Sequence, residues 1–367
     1  MYLNKRGKAP NQAHVGIPEG LSEDEHGREG FSGPVSHLYR THPPTGWVKI
    51  DGPLKPRAFD CARVTPTPSA AAKPALMMQS RDVRLYVLSS PETMVHFVRN
   101  ADGDEVYFVH EGIGRFETDY GTLSYEPGDY VVIPKGTTYR THVDAGPSLF
   151  LIVETPERIV VPDRGPLGQH ALFDKGVVAA PELGGVDSAE AEGREWEVHI
   201  TRQGETTRVV YPFYPMDVVG WKGDLWVAKL NVRDFRPVTS PRYHLPPSVH
   251  MTFQAGGCLI STFAPRPLES DPEALHVPFY HRNTDYDEVL FYHQGDFFSR
   301  AGIRPGMLTL HPQGIHHGPQ PQAVSAAKGK THTSEVAVMI ESKAPFTVRP
   351  NMEAVEIADY ALSWSRR

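Results

Sequence analysis

Histidine is the residue type that stands out. The chain has 18, and nine of them fall between His244 and His332. Neutral imidazole is the commonest protein ligand for transition metals and the natural proton-transfer group near neutral pH. Within that stretch, His281, Glu288 and His317 bring together two imidazoles and one carboxylate. Two His and one carboxylate on one face of an octahedron is the ligand set of non-haem Fe(II) oxygenases, with positions left open for substrate and O2. Any one of these histidines alone reads as an ordinary core or surface residue; the set points to a metal. Two neighbours stay open as alternatives, Asp287 beside Glu288 and His316 beside His317. Successive strand residues face opposite sides, and here both sides are apolar. His311, earlier on the same strand, reads as a substrate-facing group, as a support behind the ligands, or as a hydrogen-bonded core residue.

These residues sit inside an internal repeat. Val98-Arg99-Asn100-Ala101-Asp102-Gly103-Asp104-Glu105 leads to Gly112, and His281-Arg282-Asn283-Thr284-Asp285-Tyr286-Asp287-Glu288 leads to Gly295. Pro127-Gly128 leads to Pro134 and Gly136, and Pro305-Gly306 leads to Pro312 and Gly314 at the same spacing. Where the second copy has His281 and His317, the first has Val98 and Tyr139. A shared scaffold with both histidines missing from one copy predicts one working site and one structural twin. A period of ~180 residues means domain duplication, not a solenoid.

The elements that must position the set are short strands. V-Y-F-V-H-E-G, D-Y-V-V-I-P and L-F-L-I-V-E in residues 91–155, and V-L-F-Y-H-Q-G-D-F and G-M-L-T-L-H-P in residues 205–345, are β-rich runs parted by glycine turns. With 34 Pro and 32 Gly in 367 residues and 10% aromatics, the composition fits many strands and tight turns and argues against a helical bundle. Residues 1–90 read as an extended region wrapping a larger body, with strands near Gly46–Gly52 and Val83–Leu88. The tail 351–367 reads as a short helix. The layout resembles the cupin architecture, whose second motif P-G-x(5)-P-x-G-x-x-H is matched by P-G-M-L-T-L-H-P-Q-G-I-H-H. The expectation is an all-β bicupin of two jelly-roll barrels with extended N-terminal segments. Residues 1–155 would form a cupin-like domain without a metal site, 156–204 a connector holding the acidic stretch D-S-A-E-A-E-G-R-E, and 205–367 the metal-binding domain and tail.

A net charge of −7 excludes a general binder of nucleic acid or anionic membrane. No apolar run approaches the ~20 residues of a membrane-spanning helix, and the first residues lack the apolar core of a signal peptide. Two cysteines cannot build a disulfide framework, so a reducing cytoplasm is the expected compartment.

On P-F-Y-H-R-N followed by an acid and H-P-Q-G-I-H-H-G-P downstream, the sequence resembles the homogentisate 1,2-dioxygenase family. V-G-W-K-G and Y-H-L-P-P-S add to this, and G-I-P-E-G and M-I-E-S are fainter echoes. The resemblance spans most of the chain, is strong over residues 215–345, and gives a chain shorter than typical members. It implies Fe(II) on His281, Glu288 and His317. One residue is inserted between the His and the Glu, which keeps Asp287 a rival. It further implies that His244 and His311 are catalytic and that Arg282, Asn283 and His317 meet the substrate. Phe297 stands where the family has a Tyr, and Arg300 where it has a Lys. A lost phenol removes a hydrogen bond, and a guanidinium replaces a point charge with a fork.

The implied reaction is ring cleavage of homogentisate or a related hydroquinone-type aromatic acid, as in tyrosine degradation, with both atoms of O2 entering the product. His244 would take or orient the phenol proton, His311 would assist protonation, and Arg300 or Arg282 would pair with the carboxylate. Arg99 keeps its place in the metal-free copy, which favours a structural role for Arg282. The partners implied are a small aromatic substrate and O2, in a homo-oligomer. The competing readings are another metal-dependent cupin enzyme, such as an isomerase, and a non-catalytic bicupin binding protein.

Overall fold

In a computed structural model, residues 4–68, 74–184, 193–276, 279–297, 299–326 and 329–365 are described. Most of the acidic connector stretch lies outside them. Three strands come before the repeat: β1 (Ser22–Gly27), β2 (Val35–Arg40) and β3 (Arg57–Asp60). The first copy supplies β4 (Ala75–Gln79), β5 (Arg84–Ser90), β6 (Phe97–Asn100), β7 (Asp104–Thr118), β8 (Gly121–Tyr125), β9 (Asp129–Ile133) and β10 (Thr138–Thr155). Then come β11 (Trp196–Arg202), β12 (Glu205–Tyr211) and β13 (Ala228–Asn231). The second copy supplies β14 (Met251–Ala255), β15 (Cys258–Phe263), β16 (Tyr280–Asn283), β17 (Asp287–Gln294), β18 (Met307–His311) and β19 (Val336–Ser342), and β20 (Thr347–Val348) follows.

The chain is an all-β bicupin, and its two copies are built alike. In the first, β4-β5-β10-β7-β9-β13 run side by side; in the second, β14-β15-β19-β17-β18-β3 do. In the first copy β12-β11-β6 continues the same sheet through β10, whereas in the second β2-β1-β16 is a separate three-stranded sheet. In both, a hairpin from elsewhere in the chain docks in parallel on the strand that opens the repeat: β11 on β6, and β1 on β16. Parallel pairing needs a long connection, and here the connections run from Asn100 to Trp196 and from Gly27 to Tyr280, the second being most of the chain. β1–β3 therefore complete the second barrel, while β13 and β20 join the first. The expected wrapping N-terminal region takes this form. The strand expected near Val83–Leu88 is β5; no strand forms over Gly46–Gly52, where prolines and glycines around Trp47 leave bends. The tail contains a one-turn helix, Pro350–Glu353, and a 3-10 turn, Tyr360–Trp364, in place of a longer helix.

The repeat spacing has a backbone cause. Gly295 has φ +90°, and a Cβ there would sit 2.0 Å from the Ser334 carbonyl oxygen. Gly112 has φ +92°, and a Cβ would meet Ser148 Oγ at 2.3 Å. Only glycine fits either corner. One core runs through both barrels, with Phe108, Tyr130 and Leu151 packed with Phe253, Ile260, Phe291 and Ile340. At its centre His110 and His293, equivalent in the repeat, meet Nδ1 to Nδ1 at 2.9 Å. The first barrel's interior is filled by Tyr107, Phe116, Tyr125, Tyr139 and Phe150. No helix among the described residues is long and apolar enough to cross a membrane.

Candidate metal centre and active site

His281 lies on β16, Glu288 on β17, and His317 in the chain after β18. His281 and His317 form a two-residue bridge between the sheets, each backbone N–H donating to the other's carbonyl at 2.9 Å. In the twin, Val98 pairs with Tyr139 at the same place. The bridge brings the imidazole centroids to 4.0 Å. Glu288 reaches both rings, with Oε1 3.3 Å from His281 Nε2 and Oε2 3.0 Å from His317 Nε2. Each Nδ1 faces a backbone carbonyl, Phe279 O at 3.3 Å and Ile315 O at 3.4 Å. An Nδ1 proton donated there leaves the Nε2 lone pair aimed inward, which is how ligating histidines are held. Burial works to raise Glu288, yet the two imidazoles hold it well below the ordinary carboxylate range. Burial pushes His317 down. Three donors converging in a buried chamber, with both rings oriented by carbonyls, fit a divalent first-row ion such as Fe(II).

The choice between the adjacent acids has a structural answer. Asp287 faces away from the cluster. Its carboxylate accepts from Gln313 N at 2.8 Å and Phe346 N at 2.7 Å. Asp104 does the same in the twin, accepting from Lys135 N at 2.8 Å and Ile159 N at 2.9 Å. The pair D-E thus has one structural and one inward member in each barrel. His316 is likewise turned outward, with Nε2 3.0 Å from Arg282 Nη1 and 3.2 Å from Asp24 Oδ2.

The other residues expected at the site divide into two groups. His311 is fully buried and its ring stacks on His317, centroids 4.6 Å apart, with Nε2 3.4 Å from the Tyr360 hydroxyl. Arg300 donates to Gly318 O at 2.7 Å, directly after His317, and lies over the Trp364 ring. His244 stands further out, its Nδ1 2.7 Å from Glu269 Oε1 and its ring 5.8 Å from Phe279. Phe279 in turn lies 5.2 Å from His281. Against these, Arg282 is on the outer face of its strand with His316. Asn283 shapes a turn, its Oδ1 accepting from Asp285 N and Tyr286 N, as Asn100 does for Asp102 N and Gly103 N. Phe297 packs in a core cluster with Tyr292, Met307 and Ala337.

The motif reading missed three sets of residues. Glu341 on β19 is the cross-strand partner of Glu288; burial, and then the Glu288 charge, push its carboxyl well above the usual range. Phe31 stands 5.1 Å from the His281 ring. Beside it His14, Glu23, Glu25 and His37 gather on and around the β1–β2 hairpin. A cavity of 190 Å³ lined by His14, Glu25, Phe31, His37 and His244 joins these groups. The alternation S-E-D-E-H, with His14 and His37 within 16 residues of it, was the available signal; the residues it joins at the site, His244 and His281, lie more than 200 positions away.

Residues 69–231 match the family model described as homogentisate 1,2-dioxygenase N-terminal. That stretch lies mostly before residues 215–345, where the motif resemblance is strongest. The chain is 31% identical to a "Putative dioxygenase" of Saccharolobus solfataricus over 99% of both chains. It is 26% identical to a homogentisate 1,2-dioxygenase of Nitrobacter hamburgensis over 76% of this chain, and it spans 65% of that enzyme's length. Among solved structures, a cupin 2 conserved barrel domain protein from Leptotrichia buccalis aligns over 81% of this chain and 99% of its own, with 12% identity and a TM-score of 0.35.

Proposed function

The chain belongs to the homogentisate 1,2-dioxygenase family, and from that premise we propose that it is an Fe(II)-dependent ring-cleaving dioxygenase. Its substrate is homogentisate or a related hydroquinone-type aromatic acid, and both atoms of O2 enter the product. The observation that carries this reading is the convergence of His281, Glu288 and His317 in the second barrel, where the first has Val98, Glu105 and Tyr139. Those three residues would hold the ion, and Fe(II) bound there would supply the redox-active centre that ring cleavage by O2 requires.

The protein's own groups do the rest. Glu269 accepts the Nδ1 proton of His244, which leaves Nε2 free to take a phenol proton. Phe31 and Phe279 flank His281 and give the chamber an apolar wall that turns water away. Arg282 is committed to His316 on the outer face, so attraction of the substrate carboxylate falls to Arg300, whose charge is felt at both His311 and His317. His311, stacked on His317 and neutral because burial pushes it well below its usual range, is the inner proton relay.

The test is anaerobic reconstitution with Fe(II) followed by an oxygen-electrode trace with homogentisate, gentisate and simple hydroquinones. Uptake dependent on one of these acids supports the reading. Fully metallated protein that consumes no O2 with any of them overturns it, and turnover without O2 moves the chain to another metal-dependent chemistry.

A further inference from the structure

The second cluster of metal-capable side chains is built as carefully as the first. β1 pairs with β2 so that Glu25 faces His37, and β1 pairs with β16 so that Glu25 also faces His281. His281 then faces His317. Residues in cross-strand register point to the same side of a sheet. His37, Glu25, His281 and His317 therefore form one row of donors across one face. Glu23, two residues before Glu25, shares that face. The equivalent row of the first barrel reads Arg208, His199, Val98 and Tyr139. There Glu197, two residues before His199, lies 2.9 Å from His199 Nε2 and is paired with Arg208 at 2.6 Å, so a guanidinium balances the acid in that barrel.

His14 closes the cluster from outside the hairpin. Its Nδ1 lies 2.5 Å from Glu23 Oε1, and its Nε2 lies 3.8 Å from Glu25 Oε2. The Nδ1 contact lacks hydrogen-bond geometry, so this buried nitrogen has no hydrogen-bond partner. The His14 side chain is only 7% exposed. His37 Nε2 lies 3.1 Å from Glu25 Oε2, and the Tyr39 hydroxyl donates to Glu23 Oε2 at 2.8 Å. Glu23 and Glu25 are both buried, and among the described residues neither forms an ion pair with Lys or Arg. Glu23 also accepts from the His14 backbone N–H at 3.2 Å; beyond that the two buried carboxylates meet imidazoles and a phenol, without the permanent positive charge of a Lys or Arg that such burial ordinarily calls for.

We propose that His14, Glu23 and His37 hold a second divalent first-row metal ion, with Glu25 standing between the two centres. The donor atoms of His14, Glu23 and His37 all lie within 4.8 Å of one another. Around an ion with bonds of ~2.1 Å they would be ~3–4 Å apart, so small side-chain adjustments close the site. Two imidazoles with one or two carboxylates suit Fe(II), Mn(II), Co(II) or Zn(II) over Ca(II) or Mg(II). The ion would supply the missing charge and would face the 190 Å³ cavity shared with Phe31 and His244.

The test is metal stoichiometry, independent of turnover. The full chain is stripped with chelator, loaded anaerobically with Co(II), freed of excess metal, and analysed for metal per chain and for the visible absorption of bound Co(II). Two ions per chain are expected. His37→Ala and the near-isosteric Glu23→Gln should each leave one ion, or weaken the second at least tenfold. His281→Ala combined with His317→Ala should also leave one. Circular dichroism identifies any variant that has failed to fold, and Glu23→Gln carries the test if His37→Ala does so. One ion per chain, unchanged by His37→Ala and Glu23→Gln but lost with His281→Ala and His317→Ala, overturns the second site and leaves the proposed function standing. One ion lost only with the His37 and Glu23 variants supports the second site and removes the first.

Discussion

Asp287→Ala separates the two neighbouring acids. The Asp287 carboxylate accepts two partly buried backbone N–H groups, from Gln313 and Phe346. Removing it leaves both donors unsatisfied. Hydrogen bonds to a charged group contribute about 1.5–3 kcal/mol each, and a buried orphan donor costs a similar amount. The expected loss is therefore about 3–6 kcal/mol. The assay is urea unfolding of the metal-free chain, read as a midpoint shift at unchanged slope. Asp104→Ala should cost about as much, because it strips Lys135 N and Ile159 N of the same support. The folded fraction of Asp287→Ala should still bind metal at His281 and His317. A variant that keeps its stability to within about 1 kcal/mol and loses its metal would refute the reasoning and make Asp287 the ligand.

Three further outcomes are expected. Glu288→Gln should abolish metal binding at the His281–His317 bridge while leaving the fold intact, as read by metal analysis and circular dichroism; retained metal at full occupancy would count against Glu288 as a ligand. Burial holds the facing imidazoles of His110 and His293 at about 4, whereas unfolded histidines titrate near 6.5. The unfolded chain thus binds more protons below neutrality. The stabilisation is full above pH ~7 and declines as pH falls through 6.5 toward 4, by about 2 kcal/mol per imidazole at pH 5. Urea midpoints against pH should show a shallower decline in a His110→Asn, His293→Asn double variant than in the parent, and an identical slope would contradict this. Gly295→Ala should cost at least ~3 kcal/mol or prevent folding, because the new Cβ meets a backbone oxygen at φ +90°; an unchanged thermal midpoint would be inconsistent with that corner.

The repeat was legible because its glycines and its D-E pair occupy positions the backbone dictates. Gly136 N and Gly314 N donate to Asn100 O and Asn283 O at 2.8 and 2.7 Å, so the spacing between those motifs is a hydrogen-bonding requirement. His281, Glu288 and His317 could be picked out for the same reason, since their offsets within the repeat follow the strand pairing. The inward member of Asp287-Glu288 was not legible from periodicity, because both faces of β17 are apolar. The twin resolves it, since Asp104 shows what the first acid is for. His14, Glu23 and His37 lie close together in sequence, but nothing in the repeat spacing tied them to the site. They reach the site through parallel pairing of β1 with β16, whose residues are more than 250 positions apart. Arg282 and Asn283 illustrate the opposite difficulty. They belong to a motif that also contains a ligand, yet their contacts are those of a turn and an outer face.

The most direct measurement is the fate of labelled oxygen. The Fe(II)-loaded chain, given homogentisate or the aromatic acid that best stimulates oxygen uptake, is supplied with heavy-isotope O2, and the product is weighed by mass spectrometry. The account predicts a ring-opened product containing both labelled atoms, and none from His317→Ala. A product carrying one labelled atom or none, or an equal yield from His317→Ala, would contradict it.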